Sequence, residues 1–261
     1  MMSDYWLTRQ AKAQTKLTEK TAEEVNKQLY RYYQKSMRST VSRYQELYDR
    51  VNKTIAEGHT PSPADLYKLD SYWKMQHQLT AEMRKLGDTH IEVLNECFVK
   101  HFQEVYSNLA LPSDSAFGTI STDAAKSMIN NVWCADGKSW SERVWENTAK
   151  LQQALNDGLM DCVITGKSPL DLKYTLQEQF GVSFNRANTL VKTELSHIQN
   201  QAAQQRYKDY GLEQFEVWAD YDERRCDICG KLHKKRYNIN ANVPIPAHPN
   251  CRCSIIPVVE D

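Results

Sequence analysis

The chain has 261 residues, enough to bury a sizeable core and to divide into two modest domains. Its 33 Lys plus Arg balance 33 Asp plus Glu, so the field of the whole molecule gives no general affinity for nucleic acid or an anionic membrane, and any such binding must be local. No run approaches the roughly 18 to 20 apolar residues of a membrane span, and the opening MMSDYWLTRQAKAQTKLTEK lacks the apolar middle of a secretory signal; the expectation is a soluble protein made in the cytoplasm, with no membrane partner.

Over residues 21–55, Val25, Leu29, Tyr33, Met37, Val41, Tyr44, Tyr48, Val51 and Ile55 recur at steps of three and four with charges between them, the period of one long amphipathic helix. EGHTPSP interrupts it. Ser62 as a cap and Pro63 at the first helical position then predict a second helix carrying Leu66, Leu69, Trp73, Leu79, Met83 and Leu86, closed by Gly87. Asp88 caps a third, with the stripe Ile91, Leu94, Phe98, Phe102, Val105 and Leu109, and Pro112 stops it. Short connections favour antiparallel neighbours, so residues 1–111 are expected to form a long helical N-terminal arm or hairpin bundle. Tyr30, Tyr32, Tyr33, Tyr44, Tyr48, Tyr67 and Tyr72 are too many for one core stripe. They belong either to a surface that another chain covers or to the edge of the core.

The polar, Pro- and Gly-bearing stretch LPSDSAFGTIST reads as a linker, which places a C-terminal domain at 119–261. Its predicted helices cover about 122–133, 139–164, a third opened by Ser168 and Pro169 and ended by Gly181, and a fourth over about 184–210 stopped by Gly211. Only then does the period change: QFEVWAD, KRYNI and SIIPVV read as short strands. The expected fold is mainly α, with the helical arm followed by a helical domain that ends in a small β and zinc-knuckle module at 215–259.

Four of the seven cysteines lie in CDICGKLHKKRYNINANVPIPAHPNCRC, residues 226–253. In a reducing compartment this clustering favours metal ligation over disulfides, whereas Cys97, Cys134 and Cys162, scattered among apolar helical neighbours, read as buried small hydrophobes. Cys226 and Cys229 form a C-x2-C pair, and His248 with Cys251 forms an H-x2-C pair that completes a tetrahedron. Three thiolates and one imidazole select Zn2+ at a closed structural site. Cys253 and His233 remain as alternate ligands. Gly230 fits the reversal after the second cysteine, and Pro249 stiffens the second turn. A module of about forty residues buries too little apolar area to persist alone, so a metal contributing on the order of 10 kcal/mol would be its main fastener.

Other chemistries compete. A Cys226–Cys229 or Cys251–Cys253 disulfide requires oxidising surroundings, and a cysteine nucleophile requires a base that the sequence does not reveal. A metallonuclease of the His-Asn-His type draws on HPN and on Arg224, Arg225, Lys231, Lys234, Lys235 and Arg236 as candidates for DNA contact; between Asp222 and Cys253, seven basic and three acidic residues leave a local net of +4. Such an enzyme needs an open ligand position and a helix after the strands, and only eight residues follow Cys253.

Four stretches in order, SWSERVWENTAKLQQAL, ANTLVKTELSHIQNQAAQQRYKDYG, EVWADYDERRCDICGKLH and PAHPNCRCSIIP, resemble the minor head or head morphogenesis proteins of tailed phages, the Mu F-like family. Together they span 139–257. YWLTRQ and the Tyr- and Lys-rich helix after it resemble the N-terminal half of such proteins in phages of Gram-positive bacteria. The resemblance implies a low-copy, non-catalytic component of the virion interior near the portal vertex, assembled in the host cytoplasm. It would bind the phage portal protein, with the major capsid or scaffold protein and packaged DNA as further candidate partners, and act in head assembly and in DNA packaging and ejection. The rival reading is a zinc-dependent nuclease or DNA-processing effector carried in the head. Residue by residue, the family pattern falls on Thr193 and Glu194, on Asp222, on Cys226, Cys229, His248, Cys251 and Cys253, and on Arg252. The chain departs from it at His233 and Lys234, where an acidic residue and Gly are usual, and at Ala247, where Pro is usual. Thr193 or Glu194 is expected to bond the knuckle's backbone or Arg252 and so lock the module onto the helices.

Overall fold

The structure, a computed structural model, describes residues 4–55, 70–111, 118–219 and 225–259. Among them are six helices, α1 (Asp4–Ile55), α2 (Asp70–Asn108), α3 (Thr122–Ile129), α4 (Trp140–Thr165), α5 (Pro169–Asp209) and α6 (Asp227–Leu232). The strands are β1 (Gln214–Trp218), β2 (Arg236–Asn238) and β3 (Ser254–Pro257). The chain is thus mainly helical with a small sheet near its C-terminal end, as the periodicity predicts.

The apolar stripe of α1 is buried in register, with Val25, Leu29, Tyr33, Val41, Tyr44, Tyr48 and Val51 all in the core. The helix starts well before residue 21, where the strict apolar period begins. The tyrosines divide by burial: Tyr33, Tyr44, Tyr48 and Tyr72 are buried, Tyr30 and Tyr32 are exposed, and Tyr67 lies outside the described residues. The predicted helix start at Ser62 and Pro63 also lies outside them.

Two predicted helix breaks are absent. α2 runs through Gly87 and α5 runs through Gly181, so each replaces two expected helices. Neither glycine has a positive φ, and the apolar stripe continues past both, through Leu94 and Phe98 in one helix and through Ala187 and Val191 in the other. A helical glycine costs only about 1 kcal/mol against alanine, which such burial outweighs. Gly211 does end α5: at φ 89 it turns the chain, and Gly211 N–H and Leu212 N–H bond back to Lys208 O and Tyr207 O at 2.9 and 3.0 Å.

Contacts gather the chain into two compact units, each drawing on distant stretches of sequence. Unit 1 comprises Met1–Asn26, Val93–Trp140 and Asn188–Asp261; unit 2 comprises Lys27–Glu92 and Ser141–Ala187. The linear division into arm and domain puts its boundary on a linker of which residues 112–117 lie outside the described residues, and compaction draws on both sides of it. In unit 2, Tyr44, Met83, Leu155, Leu159 and Leu176 belong to one core. Unit 1 buries Phe98, Phe102, Leu195, Tyr207 and Phe215, and holds the sheet.

The sheet has the order β2-β1-β3, antiparallel throughout, with Phe215 opposite Tyr237 and Val217 opposite Ile255. β1 alternates as a half-buried strand should, Phe215 and Val217 facing inward, while β3 is buried along its whole length.

Candidate metal centre

Cys226 is the N-cap of α6, and its Sγ accepts the Cys229 N–H at 3.4 Å. One short helical turn, closed by Gly230 N–H to Cys226 O at 2.9 Å, therefore brings both thiols to one side. The Arg225 guanidinium donates to Gly230 O at 3.3 Å and braces this turn. On the facing segment, Cys251 N–H bonds His248 O at 3.2 Å, and Asn250 supplies the left-handed conformation (φ 60) that reverses the chain. His248 Nδ1 donates to Pro249 O at 2.9 Å. A carbonyl only accepts, so the proton sits on Nδ1 and the Nε2 lone pair faces the sulfurs of Cys226 and Cys229, at 3.2 and 3.1 Å.

The donor atoms form two groups, each within 4.8 Å: Cys226, Cys229 and His248, and then Cys229, Cys251 and Cys253. Cys229 belongs to both. Bond lengths of about 2.3 Å to sulfur and 2.0–2.1 Å to nitrogen give tetrahedral edges of roughly 3.8 Å between sulfurs and 3.6 Å between sulfur and nitrogen. The 3.7 Å between Cys229 Sγ and Cys251 Sγ meets the first value, and the imidazole contacts need to open by a few tenths of an ångström. The donor set thus fits a soft divalent ion. Cys253 supplies a fifth donor on the buried side. His233 is in neither group: its Nδ1 accepts the Ala219 N–H at 3.2 Å, and its ring stands edge-on to Trp218.

The sulfurs shift one another's acidity. The hydrogen bond from the Cys253 side chain, against the effect of burial, pulls the Cys251 thiol down to about 5, and the same bond is the first reason that Cys253 is pushed up. Burial pushes Cys229 up to about 12, whereas the Cys229 backbone N–H lowers Cys226. For His248, burial favours the neutral ring, but the Pro249 carbonyl and the Cys251 and Cys226 sulfurs outweigh it and raise the pKa. A cation bound among these sulfurs would take the place of their protons. Cys97 and Cys162 differ: burial alone leads in raising them, Cys97 to about 12, which keeps them inert thiols.

α5 holds the second half of this centre. Thr193, Asn200 and Tyr207 follow at seven-residue steps and so share one helix face. Thr193 Oγ1 accepts the Asn250 N–H at 3.1 Å, the bond to the knuckle's backbone that the sequence predicts for Thr193 or Glu194. Asn200 donates to Cys253 O at 3.0 Å and accepts the Ile255 N–H at 2.9 Å, and Tyr207 OH donates to Ile255 O at 3.3 Å. Gln204 reaches Ile239 O and Ala241 O, both at 2.8 Å. None of Asn200, Gln204 or Tyr207 is singled out by sequence reasoning. The available signal was polar residues at helical spacing in TELSHIQNQAAQQRY, too dense for a solvated face on a helix with an apolar stripe of its own.

Glu194, the neighbour of Thr193, lies on the same helix. It is buried and accepts the Trp133 indole N–H at 3.0 Å, while Trp133 stacks on His197 with centroids 4.3 Å apart. Asp222 and Arg224 lie outside the described residues. Of the remaining basic candidates, Lys231, Lys234 and Lys235 are exposed, and Arg236 pairs with Glu216 at 3.2 Å.

Residues 153–256 match the family model described as phage Mu protein F like protein. No curated protein and no solved structure matches the chain. The matched stretch contains all five donors and the whole of α5. Among the described residues, no helix is long and apolar enough to cross a membrane.

Proposed function

From the match of residues 153–256 to the phage Mu protein F like family, we propose that this chain is a minor head protein, a structural component docked on the portal protein that acts in head assembly and in DNA packaging and ejection. The observation that carries the reading is that the family match coincides with the stretch bearing the gathered cysteine and histidine donors and the helix face that holds them. Cys226, Cys229, His248 and Cys251 would hold one structural Zn2+, with Cys253 beside them. The ion would cross-link α6 to the turn at 248–251, and the reading assigns it no catalysis. Chelation then loosens the fold, whereas in an enzyme it would abolish turnover and spare the fold.

Docking falls to the exposed aromatics of α1, among them Tyr5 at 68% and Trp6 at 54% exposure, since amphipathic rings gain most where a partner covers them. The exposed Lys231, Lys234 and Lys235 are the face offered to packaged DNA. The test is co-purification with the portal protein of the same phage. Wild-type protein should be retained, and Tyr5→Ala with Trp6→Ala should lose retention while keeping its fold. Equal retention would move the docking site off this helix, and no retention of wild type would remove the portal assignment. Deleting residues 1–111 is unsuitable, because unit 1 needs its first 26 residues and the end of α2.

A further inference from the structure

The first turns of α1 reach the metal-holding turn through a buried chain of hydrogen bonds. His101 on α2 lies 3.0 Å from Thr18 Oγ1 through its Nε2, and Thr18 Oγ1 donates to Gln199 Oε1. Gln199 Nε2 donates to Ser254 Oγ at 2.8 Å, and Ser254 Oγ lies 3.3 Å from Thr15 Oγ1. Thr15 Oγ1 in turn lies 3.4 Å from the carbonyl of Arg252, between Cys251 and Cys253, and 3.1 Å from Ala11 O. All five side chains are buried, none more than 8% exposed.

Proton accounting fixes the direction of this chain from His101 to Ser254. The Gln199 oxygen only accepts, so the Thr18 proton goes to it, and His101 must then donate from Nε2. The Gln199 amide only donates, so Ser254 Oγ accepts from it, and where Thr15 gives its single proton to the Arg252 or Ala11 carbonyl, the Ser254 hydroxyl donates to Thr15. Each of the five side chains has a partner in the chain, with the Thr15 proton shared between the Ala11 and Arg252 carbonyls, and removing one member strands its neighbours in the interior. Thr15 and Thr18 share a face of α1, three residues apart, so the helix can leave the chain only by breaking both contacts.

We propose that docking of α1 around Thr15 and Thr18 and retention of an ion by the turn at 248–253 are coupled, the ion fixing the Arg252 and Ser254 backbone against which the helix hydroxyls close, and the docked helix slowing loss of the ion. The coupling rests on the metal reading above. It makes Thr15, Thr18 and Gln199 positioning residues for the centre, and it makes the N-terminal helix report whether the centre is filled.

The experiment uses full-length protein loaded with Zn2+ and first measures zinc per chain. A chain that takes up no zinc overturns the metal reading and the coupling with it. With zinc bound, Thr15→Val should release it to a chromogenic chelator about fivefold faster than wild type, the factor for one hydrogen bond, and Thr15→Ser should restore the slow rate. In wild type, chelation should raise amide exchange over residues 11–22 and leave residues 70–92 of unit 2 unchanged. Unchanged release by Thr15→Val, unchanged exchange over 11–22, or an equal rise over 70–92 would each overturn the coupling while the zinc count stands.

Discussion

Asn200 and Cys253 are joined by a side chain that acts as a missing strand. The Asn200 amide gives a proton to Cys253 O and takes the Ile255 N–H, the pattern that a neighbouring strand would supply at the buried edge of β3. Asn200→Leu keeps the volume and removes both bonds, leaving a buried carbonyl and a buried N–H unpaired at about 1–3 kcal/mol each. Urea unfolding should show a loss of about 2–6 kcal/mol. A loss within error of zero would mean that the strand end finds other partners and that α5 does not carry it.

Cys229 is the sulfur common to both donor groups, which sets an order among the ligand variants. Cys229→Ser should abolish zinc binding, as read by metal content after dialysis. Cys253→Ser should retain one zinc at reduced affinity, and His233→Ala should retain it unchanged, because that ring is committed to Ala219. Loss of zinc from His233→Ala would show that the centre closes differently in solution.

Helix positions were legible in the sequence because burial leaves a period. The stripe Val25, Leu29, Tyr33 could be read directly, and so could the shift to alternation at Phe215 and Val217. Gly87 and Gly181 misled, since the sequence shows a glycine and not its φ. The cysteine spacings exposed the candidate centre, whereas the half of it built by α5 was hidden. Asn200 lies 53 residues from Cys253, and no local pattern announces which buried amide will face which carbonyl. α6 escaped for a related reason: six residues around a cysteine cap are too few to show a period.

Acid should weaken both units. Burial lowers His90 and His101 to about 4 and His197 to about 3, from an ordinary value near 6.5. For a base whose folded pKa is depressed, the unfolded chain binds the extra proton first. Stability is therefore full above about pH 6.5 and falls as pH drops toward 4, by up to about 1.4 kcal/mol per pH unit for each histidine. His90 sits in unit 2, against the edge of Tyr33 with ring centroids 6.1 Å apart. His90→Phe removes one titration and should flatten the stability profile between pH 6.5 and 4 by about one proton. An unchanged slope would mean that His90 is protonated in the folded protein.

The two mid-helix glycines should respond to alanine with opposite signs. At Gly181 a Cβ meets nothing within 4 Å on an exposed stretch of α5, and φ is not positive. Gly181→Ala therefore removes the entropy penalty alone and should stabilise by about 0.5–1 kcal/mol. At Gly87 a Cβ would lie 2.9 Å from Cε3 and Cη2 of Trp145 and nearer still to Cζ3, inside the surface of an indole that packs flush on the helix. The ring must move, and overpacking of this kind costs about 1–3 kcal/mol, more than the helix gains. Gly87→Ala should thus destabilise by about 1 kcal/mol net. Thermal melts of both variants decide it: two stabilised proteins would show that Trp145 swings aside freely, and two destabilised ones that Gly181 has a neighbour of its own.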